Sequence, residues 1–130
     1  MNQQQTQKTI VVTGASDGIG LEFASQLAAQ GHHLALVGRN PAKMTAAVKR
    51  LHDESPTAPV DSFVCDFAVL ADVRKLAEDL LAAYPRIDVL VNNAGTVYDK
   101  RILTADGYES TFAVNHLAPF LLTELLLDRI

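Results

Sequence analysis

Apolar residues recur along this chain in two alternating patterns, short near-continuous runs and longer stretches of helical period. Thr9-Ile10-Val11-Val12-Thr13 is rich in β-branched residues and runs into glycine, as a buried strand does. Ile19, Phe23 and Leu27 then recur every four residues and Gly31 follows as a stop, which predicts an amphipathic helix with that stripe as its apolar face. Leu34-Ala35-Leu36-Val37 is a second buried strand. Asn40 and Pro41 read as the N-cap and first position of a second helix, with Met44, Val48 and Leu51 on its apolar side and Ser55-Pro56 at its end.

Val60 to Cys65 predicts a third strand. The helix after it carries Val73, Leu76, Ala77, Leu80, Leu81 and Tyr84 on one side and is stopped by Pro85. Ile87 to Val91 is a fourth strand, and Asp106 to Ile130 reads as one long helix, with Asp106 and Glu109 spaced as a variant of the capping box. Apolar strands alternating with helices predict an α/β fold, a Rossmann-type doubly wound parallel sheet with helices on both faces. Right-handed crossovers make its strand order 3-2-1-4.

The 130 residues fit one domain, and 48% hydrophobic against 20% charged residues is enough to bury a core. The polar stretch 1–8 is expected to be disordered and residues 9–130 to form the domain. A net charge of -4 without runs of like charge argues against nucleic acid or an anionic membrane as partner. Cys65 is the single cysteine and cannot form an internal disulfide, so a reducing, cytoplasmic location is the natural reading. No apolar run reaches the roughly 20 residues of a membrane span, and the N-terminus lacks an apolar signal-peptide core. His32, His33, His52, His116 and Cys65 do not combine into metal-site spacing, so no metal is expected.

The first strand leads directly into Thr13-Gly14-Ala15-Ser16-Asp17-Gly18-Ile19-Gly20. Gly14 permits a tight turn, Gly18 lets a pyrophosphate approach the backbone, and Gly20 allows helix and strand to pack closely. Free N–H groups at the start of the helix would then face the phosphates. A glycine-rich connection without ligand is the alternative.

This turn, with its TGxxxGxG pattern, and Asn92-Asn93-Ala94-Gly95 after the fourth strand resemble the short-chain dehydrogenase/reductase family, over nearly the whole chain after residue 8. Gly38-Arg39-Asn40, Cys65-Asp66-Phe67 and the stretch from Asp106 to Leu117 look closest to its retinol-dehydrogenase-like branch. The resemblance implies cofactor binding by the turn residues Thr13, Gly14, Ser16, Asp17, Gly18, Ile19 and Gly20. It extends that role to Gly38, Arg39 and Asn40, to Asp66 as acceptor for the adenine amino group with the Phe67 backbone beside it, and to Asn92, Ala94 and Gly95 along the adenosine ribose. Asp66 reads equally well as a loop or capping aspartate.

An NAD site would carry an acid at the end of the second strand. Here Gly38-Arg39 offers a guanidinium instead, which suits a 2′-phosphate and favours NADP over NAD. An ordinary solvated arginine is the alternative, and Asp17 in the glycine turn argues mildly against NADP. Pro119 lies four residues after Asn115 and has no N–H for the Asn115 carbonyl, so the helix should kink there. The resemblance implies that Asn115 is the catalytic-tetrad asparagine that holds a water through that carbonyl.

Family chemistry is hydride transfer between a nicotinamide and a small-molecule alcohol or carbonyl substrate, using a serine, a tyrosine and a lysine four residues after the tyrosine. Tyr84, Tyr98 and Tyr108 are followed four residues on by Asp88, Ile102 and Phe112, so none begins Tyr-x-x-x-Lys. The resemblance therefore implies the cofactor-binding half of such an enzyme without its catalytic part. A non-catalytic nucleotide-binding or regulatory half-domain is the alternative. The fourth strand is expected to leave an open sheet edge and Phe120 to Leu127 an uncovered apolar face, giving a homo-oligomer or other association through them.

Overall fold

A computed structural model describes residues 6–130. The strands are β1 (Thr9–Thr13), β2 (His33–Gly38), β3 (Val60–Val64) and β4 (Val89–Val91). They form one parallel sheet in the order β3-β2-β1-β4. The helices are α1 (Gly18–Ala29), α2 (Pro41–Glu54), α3 (Leu70–Ala83), the single turn α4 (Ser110–Phe112), a π-helical turn Ala113–Leu117, and α5 (Ala118–Leu126). The doubly wound α/β architecture expected from the pattern is the one found.

Alternation along the strands divides the interior in two. Ile10, Val12, Leu34 and Leu36 point to one face and are covered by α1 and α2 through Ala24, Ala28, Met44, Ala47 and Leu51. Val11, Ala35 and Val37 point to the other and meet α3 and α5 through Val73, Leu76, Leu80, Leu122 and Leu126. The inner strands β1 and β2 are covered on both faces, which is why they read as continuous apolar runs, whereas the edge strand β3 carries the exposed Asp61 and Ser62.

In α1 the buried stripe differs from the expected one. Ile19 is 82% and Phe23 42% exposed, whereas Gly20, Ala24 and Ala28, each one residue further on, are buried. The small residues face the sheet because the helix lies too close to admit larger ones, and a Cβ on Gly20 would overlap the Gly14 carbonyl.

The segment expected to be one helix from Asp106 starts only at Ser110. Gly107 adopts φ +87°, which a helix cannot contain, and Leu103 bridges Glu109. Glu109 is itself the N-cap, its carboxylate accepting from the N–H of Thr111 at 2.8 Å and of Phe112 at 2.9 Å. Those two N–H groups hold its carboxyl below the usual carboxylate range. Asp106 instead accepts from Leu70 N–H at 3.0 Å and so serves the start of α3, whose N-cap Val69 has no side chain able to cap. Ahead of Pro119 the helix widens into the π turn, with Ala118 N–H bonded to the Ala113 carbonyl. Moving the ladder out of register is how the chain accommodates a residue that cannot donate, in place of a simple kink.

Leu122 and Leu126 are buried against α3, so the face expected to be uncovered is partly covered; Phe120, Leu125 and Leu127 remain exposed. Among the described residues β4 pairs with β1 alone. Residues 1–5 of the expected disordered stretch lie outside the described residues. Gln7 donates to the Gly31 carbonyl and Lys8 N–H to His32 Nδ1, which anchors the chain just before β1. No helix among the described residues is long and apolar enough to cross a membrane.

Candidate functional site

In an open parallel sheet, ligands sit beyond the carboxyl ends of the strands, where the strand order reverses. That point lies between β1 and β4 here, and a cleft of about 260 Å³ opens beside it. Three loops line it: the glycine turn after β1, the Gly38-Arg39-Asn40 segment after β2, and the Cys65-Asp66-Phe67 segment after β3. Ala94 and Gly95 close it from the β4 side.

The glycine turn is shaped by two left-handed residues, Gly14 at φ +64° and Gly18 at φ +57°. At Gly14 a Cβ would come 2.8 Å from Ala94 Cα, so glycine there lets the turn touch the loop after β4. At Gly18 a Cβ would meet no protein atom within 4 Å, and the backbone is bare toward the outside. The N-cap of α1, Asp17, makes no side-chain capping bond, which leaves the first N–H groups of the helix available to an anion. A pyrophosphate fits this arrangement: bare backbone donors, a positive helix end and a glycine with space above it.

The other expected residues fall into two groups. Ser16, Asp17, Gly38, Arg39, Asn40, Asp66 and Phe67 all line the cleft. Thr13, Gly20 and Asn92 do not, and they hold the walls. The Thr13 hydroxyl, fully buried, donates to the Val91 carbonyl and accepts from the N–H groups of Asn93 and Ala94, both at 3.0 Å, which fastens the end of β4 to β1. Asn92 donates to the Thr123 hydroxyl on α5 at 3.2 Å. Gly18 and Ile19 stand exposed at the start of α1, outside the cleft lining.

Asp66 uses Oδ1 to accept from Ala68 N–H at 2.9 Å, a local turn, and among the described residues Oδ2 has no partner. Both readings of this aspartate are therefore compatible, since it serves the local turn through Oδ1 and also lines the cleft. Asn40 Oδ1 accepts from Lys43 N–H at 3.1 Å as the cap of α2. Arg39 makes no ion pair among the described residues. Asn115 is not part of the cleft lining, although its neighbour Val114 is, and its side chain lies beside Gly95.

Thr96, Tyr98 and Val114 complete the lining on the β4 side, and the motifs do not mark the polar contributions of Lys43 and Asn93. Lys43 lines the cleft and its ammonium stands 3.1 Å from Asp17 Oδ2. Asn93 donates through Nδ2 to the Gly14 carbonyl at 3.1 Å, holding the glycine turn from the adjacent loop after β4. Asn93 could have been picked out as the middle of Asn92-Asn93-Ala94-Gly95; nothing in the sequence marks Lys43, which is one lysine on a polar helix face.

Comparison with known proteins accounts for this geometry. The short chain dehydrogenase family model matches residues 8–130. The chain belongs to the short chain dehydrogenase family. Human retinol dehydrogenase 13 is 41% identical over 123 residues, covering 95% of this chain and 37% of that protein. Human WW domain-containing oxidoreductase is 44% identical, covering 95% of this chain and 30% of its own length. The chain thus spans less than half of these relatives. Among solved structures, L-sorbose reductase from Gluconobacter frateurii in complex with NADPH and L-sorbose superposes with TM-score 0.83 at 28% identity, covering 98% of this chain and 49% of that one. A short-chain dehydrogenase from Sphingobium yanoikuyae in complex with NADPH gives TM-score 0.79 at 35% identity, covering 94% and 48%. A short chain dehydrogenase domain of this kind accounts for the carboxyl-end cleft and for the glycine turn that forms its floor.

Proposed function

We propose that this chain is the dinucleotide-holding part of an NADP-dependent short-chain oxidoreductase that interconverts a small-molecule alcohol and its carbonyl compound. The observation that carries the reading is the bare α1 N-terminus continuing into a cleft whose β2 rim presents Arg39 where an NAD site would present a carboxylate. The glycine turn would hold the pyrophosphate, Arg39 the 2′-phosphate and Asp66 Oδ2 the adenine amino group, with Ala94 and Gly95 along the ribose. Bound NADP would supply a hydride donor or acceptor at the nicotinamide. Asn115, beside Gly95, would present its backbone carbonyl to a water on the proton path. The serine, tyrosine and lysine of the family's chemistry are not among these residues.

The buried thiol of Cys65 fits a reducing, cytoplasmic setting. Self-association would use the free edge of β4 and the exposed Phe120 and Leu127. Light scattering on the intact protein checks this, and a monomer at high concentration argues against it.

Titration of the intact protein with NADPH and NADH tests the cofactor reading. Arg39→Ala should weaken NADPH about tenfold or more, the effect of losing a charge-assisted pair, and leave NADH nearly unchanged. Equal loss of both would refute the assignment. Consumption of NADPH with a panel of aldehydes and ketones tests the reaction.

A further inference from the structure

The cleft contains an ion pair that the cofactor reading leaves unused. Lys43 in the first turn of α2 holds its ammonium 3.1 Å from Asp17 Oδ2 in the glycine turn. Both residues line the cleft on the rim that carries Arg39. Asn40 fixes the approach, because its side chain caps α2 by accepting from the Lys43 N–H. The pair therefore joins the loop after β1 to the helix after β2, the two walls between which a 2′-phosphate would enter.

Asp17 and Lys43 act on an anion in opposite senses. Left alone, the Asp17 carboxylate would repel a phosphate, and left alone, Lys43 would attract it. Paired, each masks the other. The Lys43 side chain is 57% and the Asp17 side chain 69% exposed, so solvent screens the contact and it is weakly held. A phosphate monoester carries nearly twice the charge of a carboxylate and offers three acceptor oxygens, so it competes well for the same ammonium. A 2′-hydroxyl does not.

We infer that Asp17 is a built-in competitor for the 2′-phosphate: Lys43 moves from the Asp17 carboxylate to the phosphate when NADP(H) binds, joining Arg39. The strength of the Asp17–Lys43 pair then sets how strongly the protein prefers NADP(H) to NAD(H). This rests on the NADP reading of the cleft. It also removes the objection that an acidic residue in the glycine turn opposes a phosphorylated dinucleotide, since that acid is matched by a lysine from another element.

The test is a thermodynamic cycle on the intact protein, titrated with NADPH and with NADH by nicotinamide fluorescence. Lys43→Met should weaken NADPH about tenfold, as loss of a charge-assisted contact does, and change NADH by less than about twofold. Asp17→Asn should tighten NADPH by about three- to fivefold, within the range of an exposed ion pair. In the double variant that gain should vanish, because Asp17 acts through Lys43. NADH binding in each variant reports that the site is folded. The inference is overturned if the Asp17→Asn gain persists without Lys43, or if Lys43→Met leaves NADPH unchanged or weakens both cofactors equally. Arg39→Ala separates the two levels: selective loss there with a silent Lys43 overturns only the exchange, whereas equal loss of NADPH and NADH at Arg39 overturns the cofactor reading with it.

Discussion

The side chain of Asn115 and the backbone of Thr96 bond to each other in both directions. Thr96 N–H donates to Asn115 Oδ1 at 2.8 Å, and Asn115 Nδ2 donates to the Thr96 carbonyl at 2.7 Å. Only a primary amide can match a peptide group this way, one donor and one acceptor side by side. The π turn that contains Asn115 is thereby clamped to the loop leaving β4.

Asn115→Ala should therefore cost about 1–2 kcal/mol of stability, two neutral hydrogen bonds partly replaced by water. Asn115→Asp keeps the acceptor and loses the donor, so its Thr96 amide should stay protected from hydrogen exchange while that of Asn115→Ala exchanges freely. Urea unfolding and exchange measured on the same variants check both statements.

The glycines of the turn should separate folding from binding. Gly18→Ala meets only open space and carries the left-handed φ penalty of roughly 1 kcal/mol, so the protein should remain folded and lose dinucleotide affinity. Gly20→Ala drives a methyl into the Gly14 carbonyl and should lose about 3 kcal/mol. Equal unfolding midpoints for the two variants would contradict this.

At the opposite end of the strands Asp61 Oδ2 accepts from the Tyr84 hydroxyl at 2.6 Å and meets His33 Nε2 at 2.8 Å. Burial pushes the Asp61 carboxyl up, but the Tyr84 and His33 contacts together outweigh it and hold it below its ordinary value. A carboxylate lowered in the folded state contributes stability that is present above its unfolded pKa of about 3.9 and is lost as pH falls through the folded value. Burial, then the bond to Asp61, raises the Tyr84 phenol. Its contribution is complete below about pH 10 and is lost only as pH rises through the higher folded value. Tyr84→Phe should cost about 1 kcal/mol near neutrality and flatten the loss of stability below about pH 4, read from urea midpoints against pH.

Cys65 should be chemically silent in the folded protein. Burial first, then the negative charges of Asp72 and Asp66, push its thiol up to about 12. Almost no thiolate exists at neutral pH, and only the thiolate reacts. Labelling by a thiol-specific disulfide reagent should be slow and should accelerate to the free-cysteine rate on addition of urea; rapid labelling of the native protein would contradict the burial.

Much of this molecule is legible residue by residue, where the signal is local. The run from Thr9 to Thr13 and the stripe Val73, Leu76, Ala77 and Leu80 were readable because a strand or helix buried on a defined face repeats at its own period. The glycine turn was readable because Gly14 and Gly18 need positive φ, a backbone property independent of distant contacts. Asp106 shows the converse: its spacing to Glu109 suits a local cap, yet its carboxylate finds Leu70 N–H on another helix.

Sequence alone determined the alternation of strands and helices, the dinucleotide-type turn and the family to which the two glycine-bearing motifs point, since each depends on neighbours along the chain. Tertiary structure decided which side of α1 meets the sheet, because the distance from helix to strand selects Gly20, Ala24 and Ala28 over the larger and more hydrophobic Ile19 and Phe23. It also decided that Asp17 is answered by Lys43, 26 residues away. A charge pair is set by separation in space, and that separation exists only once β1 and β2 lie side by side.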